Sequence, residues 1–186
     1  MGQYFRPCVL RKNYKLATKS NMVLASLSSY AFNNGSKLME HSYIGNSYVK
    51  NASALIGDDS EFFGYPFAWV GDYADKINGK SLYDFAREIE DETYKELKHI
   101  LTTPTYKYIV NFTKKEYVEI AEYDENIWQV HPLPLLTAVG NGRGGGDYGL
   151  YSKRVGRWAF DRIGCTNNPT WIEGMKRIDG VFELDW

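Results

Sequence analysis

The chain has 186 residues, of which 44% are hydrophobic and 24% charged, and its formal net charge is −1. This is ordinary globular composition, and the length suffices for one domain with a proper core, so we predict a single domain over residues 1–186. The balanced charge excludes a global field for nucleic acid, whose binding would need a local basic patch. No apolar run approaches the roughly 18 residues of a membrane span, and the N-terminus is not a signal peptide. We therefore expect a cytoplasmic protein without a membrane partner.

The first third of the chain predicts alternating strands and helices. In order, they are residues 3–10 (strand), 22–30 (helix), 37–43 (strand) and 46–56 (helix). Pro7 pushes the first strand towards a sheet edge, because proline cannot donate to a ladder. The second helix is capped by Asn46 or Ser47 and ended by Gly57.

The middle of the chain predicts a buried strand, a long helix and a β-hairpin. These are residues 67–70, 82–101, and 106–112 with 117–123. Ser81 and Asp84 make a box-like start for the helix, and Pro104 stops it. Residues 128–130 could extend the sheet.

In the last third, residues 135–139 lead into a glycine-rich stretch, and the pattern predicts a helix over residues 152–163 and a final strand at residues 181–184. With the preceding elements, this order favours an α+β fold, in which a mixed or antiparallel sheet is packed by two or three helices. Cys8 and Cys165 are far apart in the chain and fit no metal spacing. Reduced thiols are the simpler interpretation, and a disulfide stays an alternative.

The most unusual stretch is rich in glycine: six of the chain's 17 glycines fall within residues 140–149. Such a stretch marks backbone that needs positive φ angles or lets a partner approach closely. Exposed N–H groups with surplus positive charge nearby suit an anion. The predicted ligand-binding residues are Asn141, Gly142, Arg143, Gly144, Gly145, Gly146, Asp147, Arg154 and Arg157.

Two interpretations of this stretch stay open with about equal weight. One is a generic anion-binding loop, and the other is a mobile glycine hairpin without a ligand. A dinucleotide site is not favoured, although residues 140–145 match GxGxxG, because the helix starts too late and too few residues follow. Arg157 could also pair with Asp161 as part of an ordinary surface.

A second candidate site follows the predicted buried strand. Asp72 and Asp75 could hold a divalent ion or serve as acid and base, since functional residues often follow strand ends. The alternative, which we prefer, is that Asp72 caps a turn and Asp75 faces solvent. The three histidines are scattered, with no HxxxH or HExxH pair, and no cofactor is indicated.

Several short blocks resemble a group of uncharacterised proteins from bacteriophages and other mobile elements. The blocks are residues 1–4 (MGQY), 35–40 (GSKLME), 69–75 (WVGDYAD), 142–147 (GRGGGD) and 156–159 (GRWA). The resemblance supplies no catalytic or binding residues. It implies a context, since small phage accessory proteins often interfere with host defence by inhibiting a nuclease or sequestering a nucleotide signal.

The functional expectation is a phage accessory protein of the host cytoplasm that acts by binding rather than by catalysis. Its partner would be a phosphorylated small ligand such as a nucleotide signal, or a host defence protein that it inhibits. The competing hypothesis is a metal-dependent nucleotide-processing enzyme that uses Asp72 and Asp75. A third is a virion or assembly component. The sequence sets no oligomeric state.

Overall fold

The computed structural model describes residues 3–13, 22–76, 79–99, 105–140 and 153–179. Within these ranges the strands and α-helices follow in the order β1 (Phe5–Leu10), β2 (Val23–Ser26), α1 (Leu38–His41), α2 (Ser47–Leu55), β3 (Tyr65–Gly71), α3 (Leu82–Leu97), β4 (Tyr108–Asn111), β5 (Glu116–Glu119), α4 (Pro132–Leu136), β6 (Ala138–Val139), β7 (Arg162–Thr166) and β8 (Lys176–Arg177). Two short 3-10 helices cover Ser29–Phe32 and Pro169–Ile172.

The strands form one open, mixed sheet in the order β2-β1-β3-β7-β4-β5-β8, with β6 beside β3. Two neighbouring pairs are parallel, β3 with β6 and β5 with β8, and the others are antiparallel. The sheet therefore has two places where the carboxyl ends of parallel neighbours lie side by side. Together with the helices, this arrangement confirms the predicted α+β fold.

The two faces of the sheet are covered by different helices. In β3, Phe67 and Trp69 belong to the core that includes α2 and α4, which we call the α2 core. Ala68 and Val70 belong to the core that includes α3, which we call the α3 core. This alternation follows the two-residue period of a strand, and the burial of all four residues confirms a strand covered on both faces.

The two cysteines lie on opposite faces of this sheet. Cys8 is part of the α3 core and Cys165 part of the α2 core, and both are free thiols with no exposed surface. Burial raises the pKa of each thiol far above its ordinary range, because a thiolate would lose its hydration there. Each cysteine is thus a small apolar core residue.

The two longer helices begin as the sequence predicts. The Asn46 side chain accepts a hydrogen bond from the Val49 N–H at 3.1 Å and caps α2. At the start of α3, Ser81 and Asp84 form a capping box in which each side chain accepts from the other's backbone N–H. The predicted hairpin is confirmed by the antiparallel register of β4 and β5. None of the helices in the described ranges is long and apolar enough to cross a membrane.

Two predictions for the N-terminal third are wrong. The helix predicted over residues 22–30 is replaced by β2 and a 3-10 turn, because β2 pairs with β1 from Cys8↔Ser26 onwards. The strand predicted over residues 37–43 is replaced by the one-turn helix α1, and only the two ends of that range, Lys37 and Tyr43, make isolated strand-like bridges, to Tyr4 and Val130. For β2, tertiary pairing overrides a weak local spacing.

The position predicted for Pro7 is also wrong, because β1 lies inside the sheet between β2 and β3. Its ladder with β2 begins at Cys8, so the missing N–H of Pro7 falls where that ladder has not yet started. Residues 128–130 do not extend the sheet, since Val130 makes only an isolated bridge to Tyr43. The strand predicted at residues 181–184 lies outside the described ranges.

The helix predicted over residues 152–163 is wrong within its described part. Residues 153–160 form consecutive turns, and β7 begins at Arg162. The backbone N–H of Gly156 donates to Leu135 O at 2.7 Å, and that of Trp158 donates to Leu136 O at 2.7 Å. These bonds to α4 replace helical ones. Gly156 also has a φ of 72°, which interrupts a right-handed helix.

Candidate functional site

The sequence-predicted ligand residues from Asn141 to Asp147 lie outside the described residues, so they stay predictions. Gly140, which precedes them, is described. It directly follows β6, whose residues Ala138 and Val139 lie opposite Trp69 and Val70 of β3. Gly71 and Gly140 therefore come directly after the paired residues Val70 and Val139, at the same level of the parallel strands β3 and β6.

The side chain of Gln3 fills the space between these two glycines. A Cβ atom at Gly71 would lie 2.4 Å from its Nε2, and one at Gly140 would lie 2.6 Å from its Oε1. Gln3 is 7% exposed, and within the described part of the chain neither amide atom has a hydrogen-bond partner. We call Gln3, Gly71, Asp72 and Gly140 the β3–β6 edge. It is closed by a buried amide that has unused donors and acceptors.

Asp72 belongs to this edge and is bonded to the start of β1. Its N–H donates to Tyr4 O at 2.9 Å, and its Oδ1 accepts from the Tyr4 N–H at 3.2 Å. Asp75 is exposed. The Asp72 carboxylate thus bonds to the distant residue Tyr4, so the preferred interpretation of a turn-capping Asp72 stays a prediction, while Asp75 faces solvent. In the described parts of the chain no three His, Cys, Asp or Glu residues group in a way that could hold a metal ion, and the acid–base hypothesis stays a prediction.

Arg157 is engaged by a buried carboxylate. It forms an ion pair with Glu116 at 2.5 Å, and the Trp158 Nε1–H donates to the other oxygen of Glu116 at 3.1 Å. Glu116 is 8% exposed and Trp158 is fully buried. This network fixes residues 153–160 to the start of β5. The pairing with Asp161 predicted as an alternative is not formed, because Lys114 and Asn111 occupy the Asp161 carboxylate instead.

Arg154 pairs with a different acid, Asp179, at 3.3 Å. In the parallel register Glu116 lies opposite Lys176, and Asp179 lies two residues beyond the end of β8. The two predicted ligand-binding arginines are thus held by different carboxylates, one at the start of β5 and one beyond β8.

A concavity lies where the second parallel pair, β5 and β8, ends. It has a volume of about 1120 Å³. Its lining includes the apolar side chains of Ile44, Tyr106, Ile120, Val130, Pro132 and Ile178, of which all but Val130 and Ile178 are buried. Trp128 also lines it and is 49% exposed. We call this concavity the Trp128 cleft.

Charged side chains of the cleft are tied to one another on the strand side. Glu119 pairs with Lys107 at 3.4 Å and with Arg177 at 3.0 Å. A hydrogen bond with Tyr108 raises the pKa of Lys107, and the Glu119 carboxylate raises it further. The Lys107 ammonium group therefore stays charged. On the opposite side, the Oε1 atom of Gln129 is buried and has no hydrogen-bond partner among the described residues.

The other wall is a loop, residues 121–128, in which every residue is exposed. We call it the Trp128 loop. Its large apolar side chains are Tyr123, Ile127 and Trp128, which are 59%, 53% and 49% exposed. Its acids are Glu122, Asp124 and Glu125. The loop thus carries three aromatic or aliphatic side chains among three carboxylates.

The Trp128 loop is fixed at both ends. The Ile120 N–H donates to Lys107 O, and the Ile44 N–H donates to Gln129 O, both at 2.8 Å. Within the loop, Asp124 Oδ1 accepts from the Asn126 N–H at 2.9 Å, which is an Asx-type turn. Its shape is therefore set by defined bonds.

His131 connects the cleft to the β3–β6 edge. It caps α4, with Nδ1 accepting from the Leu133 N–H at 3.2 Å, and α4 leads directly into β6. Burial lowers the pKa of His131 to about 3, and the Lys50 charge acts in the same direction. The imidazole is therefore neutral at physiological pH, as its acceptor role requires.

Sequence reasoning missed the cleft, although one local signal was present. Residues 121–128 combine acids with Tyr, Ile and Trp but lack the alternation of a strand. No family model, curated protein or solved structure matches the chain.

Proposed function

We propose that this protein acts by binding, and that it takes a segment of a partner protein in the Trp128 cleft. One observation carries the proposal: an apolar cleft of about 1120 Å³ is lined by the half-exposed Trp128, and the fixed loop that carries Trp128 also exposes Tyr123 and Ile127 along an adjoining hollow. Exposed apolar groups that adjoin one another mark interaction sites on soluble proteins. Tryptophan and tyrosine are also the side chains most often found at the energetic centre of a protein interface.

The lining of the cleft favours a peptide segment over a charged small ligand. Its volume of about 1120 Å³ lies near the upper end for small-molecule sites, which usually measure roughly 300–1,000 Å³. Its strand-side charges already satisfy one another around Glu119. The apolar lining and Trp128 would then provide most of the binding energy.

The resemblance to phage and mobile-element proteins implies the kind of partner. A small accessory protein that binds a protein segment fits the inhibition of a host defence protein. We therefore propose an anti-defence inhibitor as the biological form of this binding activity.

Peptide display tests the proposal directly. A random-peptide library is selected on the immobilised wild-type protein, on Trp128→Ala and on Tyr30→Ala. Tyr30 is 83% exposed and does not line the cleft, so its variant controls for the loss of an exposed aromatic ring. We expect enriched peptides on the wild type and Tyr30→Ala, and their loss on Trp128→Ala. Equal enrichment on all three proteins would contradict the proposal.

A phosphorylated small ligand, such as a nucleotide signal, is the second candidate. The observation in its favour is that the sequence-predicted glycine stretch begins at the β3–β6 edge, where two parallel strands end. Ligands of open α/β sheets bind beyond the carboxyl ends of such strands. Calorimetric titration with cyclic and linear nucleotides tests it, with Arg143→Ala as the variant. A folded protein that binds none of them would reject this candidate.

A further inference from the structure

We infer that the partner segment is basic, with Lys or Arg residues beside the apolar group that enters the Trp128 cleft. The inference rests on the proposed function and names the chemistry of its partner. It is carried by the charge of the Trp128 loop together with the apolar side chains around it.

The three acids of the loop have no basic partner in the described parts of the chain. Glu122, Asp124 and Glu125 take part in none of the ion pairs there. The acids elsewhere around the cleft are already paired, Glu119 with Lys107 and Arg177, and Asp179 with Arg154. The unpaired negative charge beside the cleft is therefore concentrated in the loop, where Glu122 lines the cleft and Asp124 and Glu125 line an adjoining hollow.

The positive groups near the loop engage other side chains and do not neutralise its three acids. Lys50 of α2 lies over the Tyr123 ring, 5.4 Å from its centroid, and thus engages the aromatic face. Lys107 and Arg177 share the Glu119 carboxylate on the strand side of the cleft. A bound segment would meet unpaired carboxylates on the loop side and charges that already pair with one another on the strand side.

The unpaired acids alternate with the side chains that would form the apolar contact. Glu122 precedes Tyr123, and Asp124 and Glu125 lie between Tyr123 and Ile127. A partner that buries Trp128 must therefore approach the carboxylates as well. A positively charged partner is attracted by these carboxylates, whereas a negatively charged partner is repelled by them.

Charges at the rim and apolar groups at the centre affect different rate constants. Rim charges steer the encounter, so their loss lowers the association rate and its salt dependence. Loss of a central aromatic anchor shortens the lifetime of the complex. The basic character of the partner and its insertion in the cleft can therefore be tested separately.

The test uses two labelled peptides with the same central Leu-Phe-Leu anchor, one flanked by lysines and arginines and the other by glutamates. Their association and dissociation are measured on the wild type, Trp128→Ala and the triple variant E122Q/D124N/E125Q. Asn at position 124 keeps the oxygen that accepts from Asn126. The triple variant D91N/E92Q/E96Q removes the same charge from exposed positions of α3, at the opposite end of the sheet, and is the matched control.

We expect the basic peptide to bind the wild type and the α3 control alike. The loop variant should bind it about tenfold more weakly at low salt, mainly through slower association, since exposed charge pairs are individually modest. The difference should shrink as the ionic strength rises from about 10 mM to about 150 mM. Trp128→Ala should release the peptide faster.

Three results would overturn the inference. Equal binding of both peptides to the wild type and to the loop variant, with binding lost in Trp128→Ala, would leave the proposed function standing and reject a basic partner. Binding of neither peptide would contradict both. Self-association that depends on Trp128, measured by sedimentation, would assign the cleft to a second copy of the chain.

Discussion

The β3–β6 edge and the Trp128 cleft occupy equivalent places in the sheet but have opposite character. Each lies where two parallel neighbours end. At the first, two glycines leave room for the Gln3 amide, which fills the edge. At the second, β5 and β8 end in an apolar hollow that remains open between the strands and the Trp128 loop. The difference shows that side-chain volume, and not topology alone, decides whether such an end becomes a cleft.

The largest expected effect on stability concerns Glu116, whose carboxylate holds residues 153–160 through Arg157 and Trp158. Glu116→Ala leaves the Arg157 guanidinium and the buried Trp158 Nε1–H without their acceptor. Because Arg157 is partly exposed, we expect a loss of about 3 kcal/mol in the free energy of unfolding, below the upper range for a buried pair. Urea unfolding measures it. Glu116→Gln keeps an acceptor for Trp158 and should lose less; an equal loss would contradict this assignment.

Acid should weaken α4, which joins the cleft to the β3–β6 edge. Free His131 takes up a proton near pH 6.5, but the buried residue does so only near pH 3. Between these values the unfolded chain binds the extra proton, so stability falls as pH drops and is fully retained above about pH 6.5. The slope from this one group is about 1.4 kcal/mol per pH unit.

The variant His131→Asn isolates that slope, because asparagine can cap the helix without titrating. We expect the stability of the wild type to fall more steeply than that of His131→Asn between about pH 6 and about pH 4.5, by roughly 2 kcal/mol in total. Denaturant titrations at a series of pH values give the two slopes. Parallel curves would show that His131 does not contribute.

The closed character of the β3–β6 edge can be tested by overfilling it. Gly71→Ala would place a methyl group 2.4 Å from Gln3 Nε2, and we expect a loss of about 1–2 kcal/mol from overpacking. In the double variant Gln3→Ala/Gly71→Ala the added methyl has room, so the two substitutions should not be additive. A double-mutant cycle in urea measures the coupling. Strict additivity would show that the Gln3 side chain and a methyl group at position 71 do not compete for the same space.

The open character of the cleft predicts the smallest change in stability. Trp128 is half exposed, so Trp128→Ala should change the free energy of unfolding by less than about 0.5–1 kcal/mol while abolishing peptide binding. Thermal unfolding measures the change in stability, and a parallel binding measurement shows the loss of peptide binding. A large fall in stability would identify Trp128 as a structural residue of the loop.

The features that local physics decides could be predicted from the sequence. The capping box of Ser81 and Asp84, the cap at Asn46 and the apolar run at residues 67–70 each depend on nearby residues, and each is confirmed. Val23–Ser26 could not be placed, because its strand exists through pairing with β1. The same holds for residues 153–160, whose backbone bonds go to α4.

The candidate site follows the same division. Composition identified residues 140–149, and the strand end identified Asp72, because both are local properties. The partner of Arg157 lies 41 residues away in sequence, and the Trp128 cleft depends on β5 pairing with β8. Such long-range pairings leave no spacing in the chain that could reveal them.

The placement of the two cysteines gives each face of the sheet its own chemical probe. Only a thiolate is alkylated at an appreciable rate, so neither Cys8 nor Cys165 can react until its own layer has opened. Comparing the modification rates of the two thiols would therefore report whether the helices on either side detach together or in turn. The chain thus contains one natural thiol probe in the α2 core and one in the α3 core.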